Sequence, residues 1–373
     1  MSAPRVVGGL SRKVMKFPRL YQCFNSVEIK RLYSDIQVAA RALVYAEHGD
    51  PSKVVQLMET DLPPVDSSSV KIKMLASPIN PADINTIQGV YPIKPALPTV
   101  GGFEGVGEVI EVGGQVTEVK LGDRVIPATN NLGTWRSHIV CPANHVSPLP
   151  QDTPVMIGAT VRVNACTAYR MLADFVELQP GDCVLQNAAN SGAGQAVIQI
   201  AAARGLKTIN IVRDRPDFDK LKSYLESLGA TAVVTEESLK GKDAAKVFKE
   251  LPRPKLALNA VGGKSTITLI KLMEPGGTIV TYGGMSRQPV LVPTGSLIFN
   301  DVKFVGYWMT RWHDKHANSI EANHMITQLC QWGKSGQLRA PNHKLVPLSD
   351  FASALDAVLQ PFTSQKQILS FDT

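Results

Sequence analysis

The chain has 373 residues, 44% hydrophobic and 19% charged, which suits two globular domains with buried cores. No run of about 18 apolar residues occurs, so no membrane span is expected, and five scattered cysteines without C-x-x-C spacing speak against a disulfide framework or a cysteine zinc site. The net charge of +7 sits almost wholly at one end: residues 1–33 hold seven Lys/Arg against Glu28, leaving 32 bases and 31 acids elsewhere and no case for nucleic-acid binding by the folded body.

Residues 1–33, Arg-rich and nearly free of acids, resemble a mitochondrial transit peptide. Arg31-Leu-Tyr33-Ser34 resembles a matrix-peptidase site, which places a cleaved presequence end near Tyr33. A disordered basic tail would read the same way. From Ala40 to about Pro150, short strands broken by Gly and Pro predict a compact, β-rich, barrel-like domain. Ala42–Tyr45, Ser69–Leu75, Gly105–Val112 and Arg124–Pro127 are its clearest strands. From about Pro154 the rhythm becomes alternating strands and helices, as a doubly wound parallel sheet requires. After two strands at Cys183–Ala188 and Thr208–Val212 come Ala232–Val234, Leu256–Asn259, Gly277–Thr281 and Val302–Val305. Helices are expected near 216–229, 242–250 and 264–273. Residues 317–373 hold two amphipathic segments and a last strand, Gln367–Phe371, expected to return and pack on the first domain. A ligand cleft would then lie between the domains.

The stretch from Cys183 to Arg215 carries the most chemistry. A strand leads through Ala189-Asn-Ser-Gly-Ala-Gly194 into a helix read as Gln195–Arg204, and the next strand ends in Arg213-Asp-Arg215. A small-residue turn lets phosphate approach a helix N-terminus, where free N–H groups and the macrodipole favour anions. NAD sites place a lone acid at the end of the second strand, whereas arginines there favour a 2′-phosphate. The pattern therefore predicts an NADPH binder. The turn departs from G-x-G-x-x-G, with Val197 where a third small residue is expected, and taken alone it would suit a tight βα turn in any parallel sheet.

Asn80-Pro-Ala-Asp83, Gly101-Gly-Phe-Glu-Gly-Val-Gly107, Leu121-Gly-Asp-Arg-Val125 and Gly133-Thr-Trp135 resemble first-domain signatures of the medium-chain dehydrogenase/reductase superfamily. The resemblance covers residues 40–373. It implies an α/β fold, with a GroES-like β-rich catalytic domain (34–160 with 317–373) and a Rossmann NADPH-binding domain (161–316). Zinc-dependent members carry a histidine where this chain has Phe103, and the four-cysteine loop is missing, so a zinc-free branch is implied. Val163-Asn164 through Leu172, Asn190–Gln195, Val212–Pro216, Tyr282–Met285 and Ser364–Leu369 narrow the resemblance to the mitochondrial trans-2-enoyl-CoA/acyl-carrier-protein reductases. Ala165 and Ala193 depart from it by small apolar changes only.

That resemblance implies NADPH-dependent reduction of trans-2-enoyl thioesters in fatty-acid synthesis, with hydride to C3 and a proton to C2 from Tyr91. A phenol is protonated at neutral pH and sets an apolar ring beside an acyl chain, although a loop tyrosine is often simply a packed aromatic. The cofactor positions implied are Asn164, then Asn190, Ser191, Gly192 and Ala193 in the turn, and Arg213, Asp214 and Arg215 at the strand end. They continue with Tyr282, Gly283, Gly284 and Met285, with Tyr307, Trp308 and Met309, and with Lys366 as a phosphate or ribose contact. Asp214 reads as solvated or paired with its arginines rather than bound to ribose, and Trp308 as an acyl-pocket wall or a core residue. Arg124 and Trp135 read as structural. Metal binding by His313, His316 and His324 lacks accompanying carboxylate spacing. Arg311 and Lys315 are candidate contacts for coenzyme A phosphates or an acidic carrier protein. A homodimer paired through Rossmann edge strands is implied too, with Val302–Val305 the candidate edge. Two other readings stay open on these residues, a zeta-crystallin-like NADPH quinone reductase and a non-catalytic NADPH-binding protein.

Overall fold

A computed structural model describes residues 40–240, 249, 251–317 and 319–371. The basic segment read as a transit peptide and nearly all of the helix expected at 242–250 lie outside the described residues.

The β-rich half contains two sheets. β1 (Ala40–Tyr45), β2 (Val55–Thr60) and β4 (Thr99–Val100) pair antiparallel in the order β2-β1-β4. The larger sheet is built on β3 (Ser69–Pro78), with β5 (Val106–Val112), β6 (Arg124–Pro127), β7 (His138–Pro142) and β8 (Val146–Pro148). Val70, Ile72 and Met74 of β3 point inward while Lys71 and Lys73 point out, the period of two that a half-buried strand demands. Around them pack Leu43, Ile139 and the wholly buried Trp135, whose Nε1 donates to the Pro78 carbonyl at 3.2 Å. A short helix, α1 (Pro81–Ile87), follows β3 directly.

Between the sheets of the two halves runs a nearly continuous helix that the sequence pattern did not reveal. α2 (Val155–Thr160) passes through a single π turn, Val161–Ala165, into α3 (Cys166–Met171). Wide π turns insert one residue into a helix and are frequent at functional sites.

The second half is a six-stranded sheet in the order β11-β10-β9-β12-β13-β14, parallel at every pairing. Its strands are β9 (Cys183–Gln186), β10 (Lys207–Val212), β11 (Ala232–Thr235), β12 (Leu256–Asn259), β13 (Thr278–Thr281) and β14 (Lys303–Gly306). Every residue of β9 and β12 is buried, as in sheets covered by helices on both faces. The covering helices are α4 (Gly192–Ala203), α5 (Phe218–Ser227) and α6 (Ser265–Leu272). The strand order reverses between β9 and β12, and ligands of such sheets bind outside the carboxyl ends at that point. β14 lies at the sheet edge, as the resemblance implied.

From β14 the chain enters α7 (Met309–Lys315) and α8 (Ile320–Ser335), and α8 packs on α2, the π turn and α3. β15 (His343–Pro347), α9 (Phe351–Leu359) and β16 (Lys366–Ser370) complete the chain. β16 runs antiparallel to β3, so the tail returns to the first sheet. α4 starts at Gly192, three residues before the start read from sequence. The Ser191 Oγ accepts from Gly194 N at 3.1 Å, and this cap offsets the low helix propensity of two glycines.

Candidate active site

A cavity of about 1060 Å³ opens at the carboxyl ends of β9 and β12, bounded on its other side by α1, the Tyr91 loop and the tail before β16. All of the site positions read from sequence line it except Asp214 and Gly284. Asp214 accepts from the Arg215 backbone N–H at 3.1 Å, while the Arg215 guanidinium pairs with Asp217.

The turn into α4 is held tightly. A Cβ on Gly194 would sit 2.6 Å from the Ala189 carbonyl oxygen, so only glycine allows α4 to start this close to the strand end. Ala188, at φ +49°, adopts a left-handed conformation that non-glycine residues take where surrounding structure enforces it. Beneath it, Asn187 Nδ2 donates to Asn259 Oδ1 at 2.9 Å while its Oδ1 accepts from Ala260 N at 2.7 Å, tying the loops after β9 and β12 together. These residues fit a bound dinucleotide: a helix N-terminus for pyrophosphate, glycines that admit its approach, and cations at the end of β10.

Asn164 and Lys366 meet in a buried polar cluster. Asn80, just before α1, accepts at its Oδ1 from Lys366 Nζ at 2.7 Å and from Asn164 Nδ2 at 3.2 Å. Its Nδ2 donates to Glu104 Oε2 at 2.9 Å, and Glu104 Oε1 accepts from Val163 N in the π turn at 2.6 Å. Asp83 accepts from Asn80 N at 2.7 Å and from Phe103 N at 2.9 Å. Lys366 lines the cavity, and one of the three N–H donors of its ammonium is given to Asn80. On its far side Asn164 Oδ1 would stand 3.1 Å from a Cβ on Gly192, so its amide is wedged between Asn80 and the start of α4.

Burial pushes Asp83 up to about 7, against the lowering pull of its two backbone donors and of Lys366. An unfolded aspartate titrates near ~3.9. Between about pH 4 and 7 the folded chain therefore keeps a proton that the unfolded chain has released. This group makes stability fall as pH rises through that window, by on the order of 4 kcal/mol, and adds no slope above it. Asp83→Asn is expected to flatten this part of the pH dependence, read as urea midpoints at several pH values across the window. An unchanged slope in the variant rules out a buried, protonated Asp83.

Tyr91 lies on the same side of the cavity as this cluster: its N–H donates to the Asn85 carbonyl of α1 at 3.2 Å, and its ring is 6.4 Å from that of Phe103. Trp308 Nε1 donates to its phenol oxygen at 2.8 Å, with the rings edge to face at 6.0 Å. Burial raises the Tyr91 pKa, only partly opposed by hydrogen bonds from Trp308 and Thr310. α7, which follows Trp308, is pinned at its other end. Asp314 Oδ1 accepts from Asn130 Nδ2 at 2.5 Å, and His313 Nε2 donates to the Arg162 carbonyl at 3.0 Å. Burial and the Arg162 charge press His313 down to about 3, so it is neutral. His316 stacks on Trp312 at 4.3 Å, and His324 is exposed on α8. Asn80, Asp83 and Glu104 carried no assigned role in the sequence reading. Asn-Pro-x-Asp at a helix start signals that an acid will reach back to the cap, but nothing local reveals Glu104 beneath the π turn.

The chain matches the models of two families, the alcohol dehydrogenase GroES-like domain over residues 66–151 and the zinc-binding dehydrogenase over 192–323. The residues present do not fit zinc. Phe103 offers no donor, and among the described residues no three His, Cys, Asp or Glu side chains converge. The human mitochondrial enoyl-acyl-carrier-protein reductase is 54% identical over 330 residues, 88% of each chain. A structure of the Etr1p/NADP/crotonyl-CoA complex superposes with a TM-score of 0.83 at 32% identity, over 89% of this chain and all of that one. The Etr1p/Etr2p heterodimer of Candida tropicalis, a mitochondrial 2-enoyl thioester reductase, gives 0.83 at 33% identity over 89% and 100%. Identity at that level, spread over both halves of the fold and the tail that rejoins them, means that the chain belongs to the mitochondrial enoyl-acyl-carrier-protein reductases of the medium-chain dehydrogenase/reductase superfamily.

Proposed function

We propose that this cavity reduces the C2=C3 bond of trans-2-enoyl thioesters in mitochondrial fatty-acid synthesis, with Tyr91 as the acid that protonates C2. NADPH, when bound, supplies the hydride that goes to C3. The observation that carries the reading is the Tyr91–Trp308 pair. The indole N–H occupies a lone pair of the phenol oxygen, which leaves the phenol's own proton free for the substrate. Burial keeps that phenol protonated at neutral pH. Asn164, wedged at the start of α4, and the backbone of Tyr282 and Gly283 wall the cofactor side of the cavity, while Tyr307, Trp308 and Met309 border the side nearest Tyr91. Quinone reduction needs no such acid. The purified protein should oxidise NADPH with trans-2-hexenoyl-CoA and far more slowly with a simple quinone. Turnover of the quinone alone would reject the thioester reading.

The domain division that goes with this function keeps 34–160 and 317–373 as the catalytic domain and 161–316 as the cofactor domain. Arg311 and Lys315 are exposed on α7 just after Trp308, and we assign them to the acidic surface of an acyl carrier protein. For the homodimer, support comes from β14, which among the described residues pairs with β13 alone, and from the exposed apolar side chains Val305, Leu297, Ile298 and Phe299, the last 82% exposed. An unpaired apolar edge is otherwise an aggregation hazard. Ile298→Glu with Phe299→Glu is expected to halve the mass measured by light scattering on a sizing column. A dimer that survives both charges places its interface elsewhere.

A further inference from the structure

The two arginines at the end of β10 are employed differently. Arg215 engages four of its five N–H donors. Its Nε donates to Asp217 Oδ1 at 2.5 Å and its Nη2 to Asp217 Oδ2 at 3.3 Å. Nη2 also donates to the Phe362 carbonyl at 2.7 Å, and Nη1 to Ser364 Oγ at 2.9 Å. Its side chain is 7% exposed. Arg213 is exposed, and no described residue accepts a hydrogen bond from its guanidinium. Its close partner is the ring of Phe362, 5.0 Å from the guanidinium carbon.

Phe362 and Ser364 lie 147 and 149 residues beyond Arg215, in the tail loop between α9 and β16, and both line the cavity. Phe362 has φ +60° and is 46% exposed. A phenylalanine in that conformation with half its surface in water needs an outside restraint. The Arg215 fork provides it by gripping the loop at the Phe362 carbonyl and again two residues on. The grip has two consequences for the cavity. It fixes an aromatic face on which the Arg213 guanidinium rests, and a guanidinium resting on a ring keeps its edge N–H groups free for a planar or tetrahedral oxyanion. Because Ser364 Oγ accepts from Arg215, its own proton is left to donate into the cavity.

We infer that the tail loop is the selectivity element for the 2′-phosphate of NADPH: Arg213, seated on Phe362, and the Ser364 hydroxyl bind the phosphate, while Arg215 is a positioning residue. This rests on the cofactor reading above. It divides the labour of two arginines that the sequence treats alike, and it gives the returning tail a part in choosing the cofactor.

The test is calorimetric titration of the full chain with 2′,5′-ADP and with 5′-AMP, which carry the phosphate difference without any chemistry. Phe362→Ala and Ser364→Ala are each expected to cut the preference for 2′,5′-ADP by about tenfold, the loss of one charge-assisted contact. Affinity for 5′-AMP should stay within about twofold, and Phe362→Tyr should restore the preference. Arg213→Gln should abolish it. If both loop variants keep the wild-type preference while Arg213→Gln loses it, the loop has no part in selectivity and the inference falls. If Arg213→Gln also keeps it, the 2′-phosphate binds elsewhere and the strand-end assignment falls with it.

Discussion

Tyr91→Phe is expected to lower the turnover of trans-2-hexenoyl-CoA by about 10²–10⁴ while NADPH affinity stays within about twofold. The substitution removes one oxygen and leaves the ring, so its contacts with Phe103 at 6.4 Å and Trp308 at 6.0 Å persist and the cavity keeps its shape. What goes is the proton for C2. Hydride addition at C3 builds negative charge along the thioester, and without an acid in place that charge must wait for water. The Trp308 N–H loses its acceptor, at a cost of about 1 kcal/mol for a half-buried donor that water can still reach. A small loss of stability with a large loss of turnover separates an acid from a packed aromatic. NADPH binding followed by fluorescence and turnover followed by absorbance decide it. Turnover within about threefold of wild type would mean that another group supplies the proton.

How much of this was legible in the sequence depends on the distance between partners. The β10 arginines and the glycine turn are local patterns, and they stand where periodicity and turn chemistry placed them; the edge position of β14 came with the family resemblance. The start of α4 was missed by three residues because glycine runs read as loop, whereas a serine cap and close packing on Ala189 override propensity. The π turn left no signal at all, since one inserted residue does not disturb an apolar pattern. The site itself is assembled from contacts across long stretches: Trp308 to Tyr91 over 217 residues, Lys366 to Asn80 over 286, Val163 to Glu104 over 59. No periodicity reports such pairs. Only the family resemblance pointed to Tyr91 and Lys366, and nothing in the sequence announced that Lys366 would also hold Asn80.

Glu104→Ala should be the most destabilising single change in the site, by about 3–5 kcal/mol. Glu104 has no exposed surface, and each of its carboxylate oxygens holds a donor, Val163 N and Asn80 Nδ2. Burial raises its pKa, and the charge of Lys366 is the chief force drawing it back towards ionisation. Truncation strands both donors and leaves the Lys366 ammonium facing Asp83, which burial holds partly protonated near neutral pH. Against a typical total of about 5–15 kcal/mol this is a large share, and roughly 4–7 °C in melting temperature for a chain of this size. Glu104→Gln should cost less, because its carbonyl can still serve Val163 while only the Asn80 contact turns repulsive. Adding Lys366→Met to Glu104→Ala should recover part of the loss, since the stranded cation goes as well, and an additive double variant would show that the two charges do not interact. The same change should raise the Michaelis constant for NADPH. Val163 precedes Asn164 in the π turn, and an unheld turn lets that amide leave the start of α4. A loss below about 1 kcal/mol would mean that water enters and replaces the carboxylate, and that the cluster is wetter than its burial implies.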